Sequence, residues 1–162
     1  KEQDLFAKTN RLIDDACGEV RRISHNMMPR ALSVSGLKGA LEDMVQDLGK
    51  QGLHVKLEMI GLENSLAPSL DLTLYRILQE LSTNVVKHAR ATELLIQLLR
   101  DGQHLTIIVE DNGIGFDPLS AQNQKGLGLS SIQSRVDYLH GTIAWDSVPG
   151  QGTLISIHLP IP

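Results

Sequence analysis

The sequence predicts an α+β fold, and three observations lead to that prediction. Apolar residues recur at intervals of three and four, as on one face of a helix, in four stretches: 3–28, 37–48, 70–90 and 130–139. Shorter stretches are rich in β-branched residues or alternate between apolar and polar residues, as strands do: 53–59, 94–99, 105–109, 142–148 and 153–159. Short glycine-containing turns join the second of these strands to the third and the fourth to the fifth, which favours antiparallel hairpins.

The composition limits the class of protein. With 162 residues, of which 41% are hydrophobic, the chain has about the length of one globular domain with a buried core. A formal net charge of -4 argues against nonspecific binding to nucleic acid. No apolar run approaches the ~20 residues of a membrane helix, so we expect no membrane contact from this stretch. The single cysteine, Cys17, cannot form an internal disulfide, which fits a reducing compartment, and we expect a cytoplasmic protein.

The first predicted helix, at 3–28, has one apolar side and one charged side, and Pro29 ends it. The apolar side needs a partner. The following domain, a helix upstream, or the same helix of a second subunit would each provide one, and a four-helix bundle satisfies the last two together. The pattern leaves these partners open, and it divides the chain into this helical segment at 1–30 and a second domain at 31–162. Because the helical pattern starts at once and no initiator Met is present, we expect a piece of a longer protein.

The next two elements are a helix and a strand. Ser33 or Ser35 is a candidate N-cap for the helix, and Gly49 and Gly52 end it. The stretch 53–59 then alternates apolar and polar residues, which is typical of a half-buried strand.

The helix predicted at 70–90 carries an unusual polar face. Glu80, Asn84, Lys87 and His88 lie at i, i+4, i+7 and i+8, so an α-helix directs all four to one side. Polar faces are usually solvated surfaces. Asn84 speaks against that simple explanation here, because Asn is a poor residue for the middle of a helix unless its side chain has a task.

The turn after the third predicted strand is the central motif. It consists of Asp111-Asn-Gly113-Ile-Gly115-Phe116. Two glycines one residue apart allow a positive φ and let a ligand approach the backbone closely. A second glycine pair, Gly126 and Gly128, lies just before the helix predicted at 130–139, for which Gly141 is the expected C-terminal cap. Between the two motifs, 117–125 reads as a lid-like loop.

Several kinds of site are excluded. A dinucleotide-binding fold needs three glycines in the pattern G-x-G-x-x-G opening into a helix, whereas Gly113 and Gly115 run into a loop. A Walker-type phosphate loop needs a Gly-Lys-Ser or Gly-Lys-Thr, which does not occur. The six histidines have no paired ligand spacing, which argues against zinc.

The remaining features form a split nucleotide site. A helix N-terminus after Gly128 binds phosphate through its free N–H groups and dipole. Asn84 offers a neutral oxygen to Mg²⁺, which keeps waters and phosphate oxygens as its other ligands. Asp111 offers an acceptor to the exocyclic amine that distinguishes adenine. Together these residues predict a site for ATP with Mg²⁺.

Three motifs in this order resemble the N, G1 and G2 boxes of bacterial sensor histidine kinases: Glu80-Leu-Ser-Thr-Asn84-Val-Val-Lys87-His88-Ala, Asp111-Asn-Gly113-Ile-Gly115-Phe116 and Gly126-Leu127-Gly128-Leu129. The resemblance covers about residues 36–160. In addition, Arg22-Ile-Ser-His25-Asn-Met-Met-Pro29 resembles the end of the second dimerisation helix in the subfamily typified by nitrate and lipid-fluidity sensors. The resemblance implies a two-layer sandwich of a mixed, largely antiparallel sheet and three helices, preceded by a bundle helix. It assigns residues 1–30 to the second helix of a dimerisation and phosphotransfer bundle and residues 31–162 to an ATP-binding catalytic domain.

The resemblance also implies roles for individual residues. Asn84 would bind Mg²⁺, Asp111 would bind adenine, and Glu80 would polarise the nucleophile. The remaining nucleotide contacts would be the adenine-side residues Gly113, Gly115 and Thr153, the phosphate-lining residues Gly126, Leu127 and Gly128, and Lys87 and His88 near the phosphates.

Phosphate acceptor and partners follow from the same resemblance. His25 does not match the acceptor, because in this subfamily that histidine sits on the first bundle helix and is followed by Asp or Glu. The expected product is a phosphohistidine that passes its phosphoryl group to an aspartate of a response regulator. We expect a homodimer through the N-terminal helix, and no autophosphorylation by this piece alone. Two alternatives remain: an anti-sigma-type serine kinase of the same fold, and a nucleotide-binding scaffold without transfer activity.

Overall fold

A computed structural model describes residues 30–62, 66–116 and 129–161. The predicted helix at 3–28, with Cys17 and His25, lies outside the described residues. So do the loop at 117–125 and the second glycine motif, Gly126, Leu127 and Gly128. The division of the chain at residue 30 therefore stays a prediction.

The described elements confirm the α+β fold class. They are, in chain order, α1 (Arg30–Lys50), β1 (His54–Ile60), α2 (Pro68–Asn84) with a π-helical turn (Val85–Ala89) directly after it, β2 (Glu93–Asp101), β3 (His104–Asp111), α3 (Leu129–Tyr138), β4 (Thr142–Ser147) and β5 (Thr153–Pro160). Each predicted strand is present to within two residues at either end. No helix in this part of the chain combines the length and apolarity needed to cross a lipid bilayer.

The five strands form one mixed sheet in the order β1-β2-β3-β5-β4. β1 and β2 are parallel, because α2 returns the chain to the same edge between them, and the other three pairings are antiparallel. The β2–β3 hairpin pairs Asp101 with His104, so its turn is Gly102-Gln103. In the β3–β5 pairing, Asp111 lies opposite Thr153, and this register brings two predicted site residues together.

The core lies between one face of the sheet and the three helices. Alternate residues of the central strands are buried there, among them Ile96, Ile107 and Ile157, which have no exposed surface. The helices contribute Leu41, Leu74, Leu78 and Ile132 to the same cluster. Burying one such side chain stabilises the fold by about 1.5 to 3 kcal/mol. The core therefore fixes the end of β3 and the end of α2, where the site lies.

The predicted helix at 37–48 is present, but a helical segment precedes it in α1 and one of its two candidate N-caps is excluded. Gly36 has φ 66° and ψ -173°, so it interrupts α1, and a continuous helix begins only after it. The Ser33 hydroxyl donates to the carbonyl oxygen of Arg30 in the segment before the break. Ser33 is therefore not the N-cap of the following helix.

The C-terminal cap of α3 also differs by one residue. His140, with φ 55°, takes the left-handed position that we expected for Gly141. The N–H of Gly141 donates to Val136 O and that of His140 to Asp137 O, which is the Schellman pattern. Gly141 has another reason to be glycine: a Cβ there would lie 2.3 Å from Leu159 Cδ2 and 2.6 Å from His158 O.

Candidate functional site

A cavity of about 230 Å³ lies where the end of α2, the start of α3, β4, β5 and the turn after β3 meet. Its wall is mostly apolar and holds one carboxylate. The lining residues are Leu81, Asn84, Val85, His88, Ala89, Asp111, Ile114, Gly115, Phe116, Leu129, Trp145, Thr153 and Ile155. Five of the predicted site residues are among them: Asn84, His88, Asp111, Gly115 and Thr153. An apolar cavity with a few fixed polar groups is the usual form of a small-molecule site.

Asp111 is the buried carboxylate of this cavity. It is the last residue of β3, and its side chain is enclosed so that only 8% of the residue is exposed. Its Oδ1 accepts a hydrogen bond from the N–H of Gly113 at 2.8 Å. Burial raises the pKa of the Asp111 carboxyl above its ordinary value of 3.8, and hydrogen bonds from the Gly113 N–H and the Thr153 hydroxyl offset this effect only in part.

The glycines of the turn are required by close backbone approach. A Cβ on Gly113 would lie 2.2 Å from the carbonyl oxygen of Ala89, and a Cβ on Gly115 would lie 2.2 Å from that of Val148. The N–H of Ile114 donates to Ala89 O at 2.8 Å. The turn after β3 therefore packs between the π-helical turn (Val85–Ala89) on one side and the β4–β5 connection on the other.

Asn112 anchors the same turn to β2, a role that sequence reasoning did not assign. Its Oδ1 accepts from the N–H groups of Thr92 and Glu93 at 2.9 and 3.0 Å, and its Nδ2 donates to the Thr92 hydroxyl at 2.9 Å. The Asn-Gly pair had indicated only a turn. Asn side chains in turns commonly bond backbone two residues away, but these partners lie 19 and 20 residues away, so the sequence held no local signal for the contact.

The end of α2 corrects the prediction of one polar helical face. The α-helix stops at Asn84 and a π-helical turn follows, in which each residue rotates less about the axis than in an α-helix. Because of this smaller rotation, His88, four residues after Asn84, lies on the same side of the helix as Asn84. Lys87, three residues after Asn84, does not. Of the four predicted residues, all described, Asn84 and His88 line the cavity, and Glu80 and Lys87 do not.

Sequence reasoning also missed two residues of the β4 edge. Trp145 lines the cavity, and Ser147 accepts a hydrogen bond from the N–H of Phe116 at 2.9 Å. The signal was the period of two in β4, which puts Ile143, Trp145 and Ser147 on the inner face. A serine at the buried end of that face is a polar residue that needs partners.

The described residues fit a magnesium ion that arrives with a nucleotide. Within the described ranges, no three His, Cys, Asp or Glu side chains come together as a metal site. Mg²⁺ in nucleotide sites takes one or two protein oxygens and fills its shell with phosphate oxygens and water. Asn84 lines the cavity and offers such an oxygen, so no carboxylate cluster is required.

A larger cavity of about 590 Å³ lies elsewhere, between the first half of α1 and β1. Its lining includes Leu37, Leu57, Met59 and Asp71. None of the predicted site residues that the structure describes takes part in it. We therefore regard the smaller cavity as the functional one, because there the motif residues and the buried carboxylate converge.

The family model of histidine kinase-, DNA gyrase B- and HSP90-like ATPases matches residues 70–162, which covers α2 through β5 and the whole cavity. The chain belongs to this family. The match confirms the predicted ATP-binding domain. The described domain is the ATP-binding catalytic domain of the sensor histidine kinase type.

Similar proteins support the same assignment. The chain is 32% identical over 151 residues to the sensor histidine kinase MctS of Rhizobium johnstonii, an alignment that covers 91% of this chain and 32% of that protein. It is 32% identical over 161 residues to the sensor histidine kinase ComP of Bacillus subtilis, covering 98% of this chain and 21% of that protein. The chain therefore spans about a fifth to a third of the length of these relatives.

Solved structures share the fold. The histidine kinase domain of the Erythrobacter litoralis EL346 blue-light activated kinase aligns with a TM-score of 0.61 at 20% identity, over 78% of this chain and 60% of that one. The Acinetobacter baumannii histidine kinase AdeS aligns with a TM-score of 0.61 at 19% identity, over 76% of this chain and 64% of that one. The predicted subfamily and the roles of single residues stay predictions.

Proposed function

We propose that the cavity binds ATP with Mg²⁺ and that the protein carrying this chain transfers the γ-phosphoryl group to a histidine of a dimerisation helix. The observation that carries the proposal is a buried carboxylate, Asp111, on the wall of an apolar cavity large enough for a purine. A flat apolar ring with an amine at its edge matches this combination. The amine donates to the carboxylate while the ring is removed from water.

The phosphate side of the site would lie toward Asn84, His88 and the start of α3. Asn84 would hold Mg²⁺, which when bound neutralises charge on the phosphate oxygens. Gly126, Leu127 and Gly128 precede α3 directly, and their backbone N–H groups would contact the phosphates. Lys87 is exposed at the edge of this region, so its contact with a phosphate requires its long side chain to turn inward.

Transfer requires an acceptor aligned with the γ-phosphorus, because phosphoryl transfer depends mainly on positioning and charge stabilisation. We propose that Glu80, half-buried on α2 one turn before Asn84, polarises the acceptor histidine. The acceptor would come from the first helix of a dimerisation bundle, whose second helix includes residues 1–30. The partner would be a response regulator in the cytoplasm, and the working form a homodimer.

The magnesium role is tested by replacing Asn84. Calorimetric titration with ATP, with and without Mg²⁺, should show that Asn84→Ala removes the part of the affinity that depends on Mg²⁺. Thr83→Ala is the matched control, because Thr83 is adjacent and bonds to the carbonyl oxygen of Gln79 on the same helix. An unchanged Mg²⁺-dependent affinity in Asn84→Ala would contradict the role.

The transfer reaction is tested on the full-length protein with γ-labelled ATP. We expect a labelled protein whose phosphate is lost in acid and retained in alkali, as for phosphohistidine. A label stable in acid would indicate a serine kinase instead. Binding of ATP without any label would indicate a scaffold.

A further inference from the structure

The Ser147 hydroxyl connects three segments around the nucleotide cavity. Its Oγ accepts from the N–H of Phe116 at 2.9 Å, lies 3.1 Å from the carbonyl oxygen of Gly152, and lies 3.0 Å from Oγ1 of Thr153. Ser147 and Thr153 are each only 7% exposed. Water therefore has little access to these bonds, and the protein groups must satisfy one another.

Either hydroxyl of the Ser147–Thr153 pair can donate, so the direction of this bond depends on where the Thr153 hydrogen points. Thr153 lies directly opposite Asp111 in the β3–β5 register, and its hydroxyl lowers the pKa of that carboxyl, as a donor to the carboxylate does, so we assign its single hydrogen to Asp111. Thr153 can then only accept from Ser147, whose single hydrogen is shared between Thr153 Oγ1 and Gly152 O. The result is a chain that runs from the Phe116 N–H through Ser147 and Thr153 to Asp111.

Both ends of this chain belong to the same turn. Asp111 begins the turn after β3 and Phe116 ends it, so the hydrogen bonds close a ring across the turn. Hydrogen bonds in series polarise and strengthen one another in a region of low dielectric. A change in the conformation of the turn therefore affects the hydrogen bond from the Thr153 hydroxyl to the Asp111 carboxylate.

We propose that Ser147 is a positioning residue for purine selection, which holds the Thr153 hydroxyl as a donor to Asp111 and keeps Asp111 an acceptor for an adenine-type amine. This inference rests on the proposed function, because it assigns a support to the residue that would contact adenine. Ser147 itself is not among the residues that line the cavity.

Removal of the Ser147 hydroxyl has a defined consequence. Gly152 O then lacks its donor, and the Thr153 hydroxyl can turn toward it and away from Asp111. Asp111 loses a bond that favours its ionised form, so the pKa of its carboxyl rises further.

The other charged groups near Asp111 stay unchanged in this variant. A second cavity, of about 650 Å³, reaches Asp111 from the side of β1 and β2. The charged and titratable groups near Asp111 are His88 at the first cavity, Glu110 on β3, and His54, Lys56 and Glu93 at the second. A difference between wild type and variant in the pH dependence of binding therefore reports on Asp111.

The test compares Ser147→Ala and Ser147→Thr with the wild-type chain. Affinity for ATP and for GTP, each with Mg²⁺, is measured from neutral to acidic pH through the fluorescence of Trp145, the single tryptophan, which lines the cavity. Ser156→Ala is the control, since Ser156 lies in the same hairpin but on the opposite face of β5 from the cavity residues Thr153 and Ile155. Thermal unfolding verifies that each variant is folded at the temperature used.

For Ser147→Ala we expect the preference for ATP over GTP to fall roughly fivefold to tenfold, the effect of one net hydrogen bond. We also expect the midpoint at which acid removes ATP affinity to move to higher pH, and Ser147→Thr to restore both values. An equal loss for both nucleotides at every pH, or no loss, would overturn the inference. A wild-type chain without any preference for ATP would overturn the proposed function together with it.

Discussion

Gly115 and Gly102 have nearly the same backbone φ, +60° and +57°, but only Gly115 lies against another segment. A Cβ on Gly115 would meet Val148 O at 2.2 Å, whereas a Cβ on Gly102 would meet nothing within 4 Å. Comparing the two positions distinguishes the energetic cost of a left-handed backbone from the cost of a steric clash with a neighbouring segment. Gly102 needs glycine for its conformation alone, and Gly115 needs it for both reasons.

Replacement of each glycine by alanine tests this distinction. We expect Gly102→Ala to lower the free energy of unfolding by about 1 to 2 kcal/mol, the cost of a left-handed residue, and to leave ATP affinity unchanged. We expect Gly115→Ala to destabilise the fold more and to reduce ATP binding strongly, because the turn must leave Val148. Chemical denaturation and calorimetry measure the two effects. Equal losses of stability and full ATP affinity in both variants would contradict the account.

We expect Asp111 to give protein stability and ATP affinity opposite dependences on pH. Because its pKa is raised in the folded protein, the folded state holds this proton more tightly than the unfolded chain does. The resulting stabilisation is complete below the ordinary value of 3.8 and is lost as pH rises through the folded pKa. If Asp111 accepts the adenine amine, ATP binding needs the ionised carboxylate, and we expect ATP affinity to fall as pH falls through the same interval.

The measurement compares wild type with Asp111→Asn, because all other titrating groups are common to both. As pH falls toward 3.8, the unfolding free energy of the wild type should rise relative to that of Asp111→Asn. Over the same interval, the higher ATP affinity of the wild type should disappear. Parallel rather than opposite changes would show that Asp111 does not act as an ionised acceptor.

The cap of α3 gives a prediction away from the nucleotide site. His140→Gly should raise the free energy of unfolding by about 1 kcal/mol, because glycine adopts the left-handed position without strain. Gly141→Ala should lower it by about 1 to 3 kcal/mol, the usual cost of overpacking, because its Cβ would collide with Leu159 and His158. The reverse order of effects in chemical denaturation would show that Gly141 is the cap, as the sequence suggested.

The fold was predictable because periodic patterns record burial directly. The β-branched run at 105–109 corresponds to a strand whose inner residues are buried, and the alternation at 53–59 corresponds to a strand whose inner residues are half-buried against the core. The order of the strands was not predictable from these patterns, because it depends on contacts between distant segments. It entered only as the mixed sheet that the resemblance implied.

Site residues could be predicted where the residue type and its motif indicate a role. They could not be predicted where the role depends on a contact with a segment distant in sequence. Asp111 and Gly115 were predicted from the turn together with Asn84, the second glycine pair and the family resemblance. The π-helical turn was missed because it is tied to a distant contact, the hydrogen bond from Ile114 to Ala89 O. Ser147 was missed because its three partners come from segments far apart in sequence or across a turn.

The most direct test of the central claim is the affinity of the wild-type chain and of Asp111→Ala for ATP and GTP, with Mg²⁺ present. If Asp111 accepts a hydrogen bond from the adenine amine, the substitution costs ATP about 1.5 to 3 kcal/mol of binding free energy, the range for hydrogen bonds to charged groups, and costs GTP little. Glu110→Ala, the exposed neighbour, should keep the wild-type preference. A variant Asp111→Ala that still distinguishes ATP from GTP as the wild type does would contradict the claim.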